Sequence, residues 1–219
     1  MKSMTMSWSA ILLIAMSSIS FGQSFRVKAG LNLSDVLIKN EQVDLSDKAK
    51  IKPGFHVGAS YELPLNDMFS VETGLLLATK GFKFSEKSTD YEYKETQSFL
   101  YVDIPVTAKA SFDVGKNKIY GALGPYFGIG ISGKARYEET SGGSTDTNTE
   151  VVNWGSGEDD DLKRMDFGLA FGAGYELGSI QFALFYNLGL ANIIPNPENG
   201  MRVKHRVTGI SLGYRFGGK

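Results

Sequence analysis

A chain of 219 residues with an apolar share of 42% is long enough for one domain or one barrel and has the makeup of a folded protein. Its formal net charge of −1 supplies no global basic field, so nucleic acid is not an expected partner. The lack of cysteine excludes a disulfide framework, a thiolate metal site and a cysteine-anchored lipoprotein.

The N-terminus reads as an export leader. Lys2 precedes an apolar stretch from Trp8 to Ile19, and Ser20 and Gly22 place small residues at the −3 and −1 positions of a cut before Gln23. The apolar run is well short of the roughly 20 residues of a spanning helix. Residues 1–22 are therefore expected to be a signal peptide and 23–219 the mature domain. No later segment has the length of a transmembrane helix, so any membrane span in the mature chain must be built from strands.

Eight runs then read as strands, at about Ser24–Ser34, Pro53–Leu63, Phe69–Phe82, Phe99–Phe112, Ile119–Gly133, Met165–Leu177, Ile180–Leu190 and Lys204–Phe216. Most reach the roughly 9–11 residues that carry a tilted strand across hydrocarbon. Their connections alternate between long (Asp35–Lys52, Lys83–Ser98, Lys134–Arg164, Ala191–Val203) and short (Pro64–Met68, Asp113–Lys118, Gly178-Ser179). One rim of minimal turns and one of elaborated loops is the pattern of an up-and-down barrel in the outer membrane.

Side chains along a strand point alternately to opposite faces. In Asp166–Leu177 the odd positions are Phe, Leu, Phe, Ala, Tyr and Leu, and the even positions are Asp, Gly, Ala, Gly, Gly and Glu. A bulky apolar face backed by a small, charged one fits a lipid-facing wall around a narrow polar lumen. The same parity places Arg26, Lys28, Glu62, Glu72, Lys80, Asp103, Lys109, Asp166, Glu176 and Arg215 on the inner face, five basic and five acidic. Eight strands enclose an interior that side chains can fill. Unpaired charges in such a space are costly, so these ten are expected to pair into a network that plugs the lumen. Outward aromatics gather toward the short-turn end as an interfacial girdle: Phe25, Tyr61, Phe69, Phe112, Tyr175, Tyr214 and Phe216.

Chemistry finds little support. His56 and His205, the two histidines, are expected near the long-loop rim, and no G-x-S-x-G, paired-histidine metal spacing or triad accompanies them. No catalytic residue, metal or cofactor is therefore assigned. The carboxylates Glu158-Asp159-Asp160-Asp161 do not follow an EF-hand spacing and read as a solvated loop. The glycines at 128–133 and 172–174 sit in alternating strands and open no helix, which removes a phosphate-loop reading. Asp103, two residues before Pro105, is expected to mark a kink or bulge and to act as a salt-bridge hub with Lys109 or Arg26.

The order of short motifs resembles the porin-family, PorT-like outer-membrane β-barrel proteins of the Bacteroidota. The matching pieces begin with Gly30-Leu31-Asn32, Gly54-Phe55-His56-Val57-Gly58, Gly74-Leu75 and Lys80-Gly81. They continue with Tyr101-Val102-Asp103-Ile104-Pro105-Val106, Gly124-Pro125-Tyr126-Phe127-Gly128, the run Asp166–Glu176, Tyr186-Asn187-Leu188-Gly189-Leu190 and the run Ile210–Phe216. The sequence departs at Gly217-Gly218-Lys219, where such barrels commonly end on an aromatic residue. The resemblance implies fold and location, and it carries no catalytic residues.

The combined expectation is an all-β, eight-stranded antiparallel up-and-down transmembrane barrel. It would be non-enzymatic, in contact with outer-membrane lipid and lipopolysaccharide, and open to a protein partner through long acidic loops, in a structural, interaction or secretion-accessory role. The alternatives are a narrow porin-like channel and an exported soluble barrel of lipocalin type holding an apolar ligand. The soluble barrel would turn Phe171, Leu184 and Ile210 inward and Asp166 and Glu176 outward.

Overall fold

A computed structural model describes residues 24–40, 44–89, 91–197 and 200–217, so the expected leader lies outside the described residues. Among the described residues nine strands follow in chain order: β1 (Ser24–Lys39), β2 (Lys52–Pro64), β3 (Phe69–Lys87), β4 (Tyr91–Val114), β5 (Asn117–Ser141), β6 (Ser144–Val151), β7 (Met165–Leu177), β8 (Ile180–Gly189) and β9 (Arg202–Phe216). The order β4-β3-β2-β1-β9-β8-β7-β5, closed by β4 pairing with β5, makes an antiparallel ring of eight strands, while β6 hangs from β5 outside the ring. The first and last strands form the seam, in register from Phe25 opposite Phe216 to Lys39 opposite Arg202.

The wall is apolar outside and polar inside. Leu169, Phe182 and Leu212 are 36%, 50% and 53% exposed, whereas Asp166 is 0% and Glu176 6% exposed. This is the reverse of the lipocalin arrangement. Two inner-face glycines of β7, Gly168 and Gly174, leave room for the tyrosines of β5 opposite them. A Cβ at Gly174 would lie 2.5 Å from the Tyr120 ring, and one at Gly168 would lie 2.7 Å from the Tyr126 ring. Gly174→Val should therefore push Tyr120 out of place and destabilise the barrel by about 1–3 kcal/mol, the usual cost of overpacking, read as a lower unfolding midpoint in detergent.

Two connections expected as loops are largely strand. Lys83–Ser98 continues β3 and β4, which pair out to Lys87 opposite Glu92. Within Lys134–Arg164, β5 runs on to Ser141 and turns back through Gly142 and Gly143, both at positive φ, into β6. A Gly-Gly pair between two polar runs, the second rich in threonine, is a two-residue hairpin signal. High polarity masked it, because outside the membrane neither face of β6 has to be apolar, and all of its residues are exposed. The irregularity expected at Asp103–Pro105 lies instead between Leu100 and Tyr101, where the register with β5 shifts. Pro105 does interrupt the ladder to β3, which passes from Leu76–Asp103 to Thr73–Val106.

Beyond the apolar wall, on the long-loop side, the hydrophobic side of the strands changes over. On β1, Leu31 and Leu33 point outward, but Val36 and Ile38 point inward and are buried. They join Ala49, Phe82, Phe99, Tyr101, Val152, Ile193 and Val203 in a compact apolar cluster across the mouth of the barrel. Where water replaces lipid outside, the inner face becomes the better place for apolar groups. Loop backbone ties this lid together, with Lys163 N–H donating to Ile193 O at 2.7 Å and Ile193 N–H to Val203 O at 2.9 Å.

Candidate functional site: the barrel lumen

Below the lid, the inner face carries two charged clusters and a polar gap between them. The cluster nearer the short turns centres on Arg26, which is 1% exposed. Its Nη1 donates to Glu62 Oε2 at 2.9 Å and to Glu72 Oε2 at 3.1 Å, and its Nη2 donates to Glu176 Oε1 at 3.1 Å. Lys109 Nζ bridges Glu62, at 3.0 Å, and Glu176, and lies 4.4 Å above the Tyr120 ring. Lys28 pairs with Glu72. Ser70 Oγ and Gln181 Nε2 donate to Glu62 and Glu176 at 2.6 and 3.1 Å. Three cations therefore face three carboxylates.

The second cluster lies beneath the lid. Lys80 Nζ donates to Asp166 Oδ2 at 2.9 Å and stands 2.9 Å from Asp103 Oδ1, an ion-pair contact outside hydrogen-bond geometry. The rings of Tyr101 and Tyr126 flank this ammonium at 4.5 and 4.8 Å, and Tyr126 O–H donates to Asp166 Oδ2 at 3.1 Å. Here one lysine serves two carboxylates. His205, fully buried, packs edge-on to Tyr101 and Phe99, and its Nδ1 has no hydrogen-bond partner.

Nine of the ten inner-face charges thus sit in one of these two clusters. Arg215 does not: it is half-buried and its Nη2 donates to Gly178 O at 3.0 Å in the short turn. Asp103 pairs with Lys80 and not with Lys109 or Arg26. Lys109 lies six residues along the same strand, which is roughly 20 Å at 3.3 Å per residue, whereas Lys80 comes from the neighbouring strand. The seven aromatics Phe25, Tyr61, Phe69, Phe112, Tyr175, Tyr214 and Phe216 are all exposed on the outer wall. Phe216 packs against Phe25 and Tyr214, with ring centroids 6.2 and 4.9 Å apart.

Both histidines face inward: His205, opposite Val36 and against Phe99 and Tyr101, lies in the lid at the long-loop mouth, as expected, whereas His56 is not a rim residue. His56, 4% exposed, lies in mid-barrel, with Nδ1 2.8 Å from Asn32 Oδ1 and Nε2 2.9 Å from Ser211 Oγ. Sequence reasoning missed this chain, because Asn32, His56 and Ser211 meet only through the β1–β2 and β1–β9 registers. Serine, histidine and asparagine follow one another as in acyl-transfer triads. Such chemistry also needs donors aimed at a developing oxyanion. The strand backbone around Ser211 is committed to the sheet, pairing with both β1 and β8. The arrangement satisfies the buried side chains of Asn32 and His56 together with the half-buried Ser211, and fixes one ring. It borders a cavity of about 120 Å³ lined by Lys28, Asn32, His56, Glu72, Lys80 and Asp103 among others. Small inward residues on β7 and β8, including Ala170, Gly172 and Ala183, leave this space.

The acidic loop is self-satisfied at two of its positions. Asp160 Oδ2 accepts from Gly157 N–H at 2.7 Å and Asp161 Oδ2 from Asn153 N–H at 2.8 Å. Among the described residues no group of three or more histidine, cysteine, aspartate or glutamate side chains is placed to hold a metal.

A family model described as an outer membrane protein beta-barrel domain matches residues 21–195. Similar solved structures include Ail, the attachment invasion locus protein of Yersinia pestis, at 19% identity and a TM-score of 0.36, covering 90% of this chain and 100% of that one. Neisserial surface protein A matches at 14% identity and a TM-score of 0.40, covering 89% and 99%. The translocator domain of the autotransporter NalP from Neisseria meningitidis matches at 9% identity and a TM-score of 0.33, covering 95% and 94%. No curated protein matches the sequence.

Proposed function

From a chain that belongs to the outer membrane protein beta-barrel domain family, and so resides in the outer membrane, we propose a non-enzymatic role as a plugged barrel that displays a sheet outside the cell. The observation that carries this reading is the filled lumen: two ion clusters beneath an apolar lid leave a gap of only about 120 Å³ between one cluster and the other. Such an interior serves stability, and exposed charged groups that can meet a partner sit on the β3–β6 extension. On that extension Glu138, Glu139, Asp146 and Glu150 stand beside Lys94, Lys134 and Arg136. A structural, interaction or secretion-accessory task for this surface, with a protein partner, follows from placing the polar groups there. The finer kinship to PorT-like proteins rests on the order of the short motifs. Residues 1–22 act as the export leader and 23–219 as the barrel domain in this reading.

Heat-modifiable gel mobility of the outer-membrane fraction, combined with planar-bilayer recording of the refolded protein, tests it. The expected result is a heat-sensitive mobility shift with no unitary conductance. Steady single-channel currents would replace the plug with the narrow-pore alternative. Orientation has its own test. Leu212, opposite Ala29 and Phe182, is central in the outward run of β9. Leu212→Arg should cost about 2–4 kcal/mol in lipid, as for cations near a bilayer midplane. Urea titration in vesicles measures it, and a neutral outcome would remove Leu212 from the hydrocarbon.

A further inference from the structure

We infer that the outward face of the β1–β9 seam, just above the apolar wall, binds the phosphate of an outer-leaflet lipid; this rests on the membrane orientation proposed above. The outward pairs along the seam are, in order, Leu33 with Thr208, Asp35 with Arg206, Leu37 with Lys204 and Lys39 with Arg202. The first belongs to the apolar wall. The second is self-contained, since Arg206 Nε and Nη2 donate to the two oxygens of Asp35 at 2.8 and 2.9 Å.

The next two pairs bring three cations together. Lys39 and Arg202 are directly opposite one another, an arrangement that like charges disfavour in a sheet. Asp44 lies 2.7 Å from Lys39 Nζ and offsets one charge. Among the described residues no carboxylate pairs with Arg202 or Lys204. A cleft of about 340 Å³ opens between these side chains, lined by Leu37, Lys39, Asn40, Gly200, Arg202 and Lys204. Repelling cations around an open cleft lower their energy by taking an anion between them, and the arginine fork matches phosphate oxygens two at a time.

Height selects the source of that phosphate. At about 3.3 Å per residue and a tilt near 45°, Lys204 stands roughly 9 Å above the level of Thr208. Long basic side chains bend toward the interface from that height and reach the headgroup layer. A phosphate carried on a lipid is delivered there at the concentration of the leaflet itself. A soluble phosphate has no such advantage.

The test uses the full mature chain refolded in detergent, with bisphosphorylated lipid A, dephosphorylated lipid A and inorganic phosphate as probes. Native mass spectrometry reads the bound fraction, and heat-modifiable mobility checks the fold of every sample. The intact protein should prefer the phosphorylated lipid by roughly ten- to thirty-fold, as expected for two or more cations near a headgroup. Arg202→Gln with Lys204→Gln should remove that preference. Lys118→Gln, at the opposite rim, should leave it unchanged. No preference in the intact protein, or one that survives the double variant, overturns the inference. Inorganic phosphate that displaces the lipid at equal concentration overturns the lipid as ligand. If mobility still shifts with heat while the preference is missing, this site fails and the barrel reading stands. If the shift is also missing, the barrel reading itself has failed.

Discussion

Lys80→Met lowers stability by about 3–5 kcal/mol, the cost of removing one partner from a buried ion pair. Methionine keeps most of the side-chain volume, so the loss is electrostatic. The ammonium is 1% exposed and stands 2.9 Å from both Asp103 and Asp166, which without it face each other across the lumen. Urea or thermal unfolding in detergent micelles gives the number. Adding Asp103→Asn and Asp166→Asn to Lys80→Met should restore most of it, since neutralising a whole buried network is far cheaper than breaking it. A single variant that loses less than about 1 kcal/mol would mean that water solvates the site freely.

Phe99→Ala is the second large effect, at about 3–5 kcal/mol for a buried phenylalanine. Phe99 is 2% exposed and joins Phe82, Trp154 and His205, with ring centroids 6.2, 6.0 and 5.7 Å away. It ties the strand wall to the loop carrying Trp154. The chain has two tryptophans, Trp8 in the expected leader and Trp154 in the lid, so fluorescence of the mature protein reports the lid alone. The variant should shift that emission to the red and admit acrylamide, while the wall below keeps its heat-modifiable mobility. Unchanged emission would show that the cluster closes without Phe99.

The ring of eight was legible because lipid outside and charge inside impose the same period of two on every spanning strand. Phe25-Arg26-Val27-Lys28 and Asp166-Phe167-Gly168-Leu169 both state it within four residues. The pairing of the charges was not legible in the same way. Lys80 meets Asp166 across 86 positions of sequence, through strand registers that side-chain parity does not contain. Arg215 has the inward parity but lies one residue from the end of β9, where the turn carbonyl of Gly178 is closer than any carboxylate partner. The lid was hidden for a related reason. Val36, Ile38, Phe82 and Phe99 carry the inward parity and are apolar, which contradicts the membrane rule unless their height in the barrel is known. Past the hydrocarbon the rule inverts.

The seam between β1 and β9 has a consequence for how the molecule comes into being. Its partners stand nearly the whole mature chain apart, Phe25 beside Phe216, so the loop that must close is the longest the protein can make. Contacts so distant in sequence are the slowest to form. Until they do, an unfinished wall offers two raw strand edges to its neighbours. The aromatic contacts of Phe216 with Phe25 and Tyr214 sit at the rim of that last joint, where zippering can start before the remaining rungs engage.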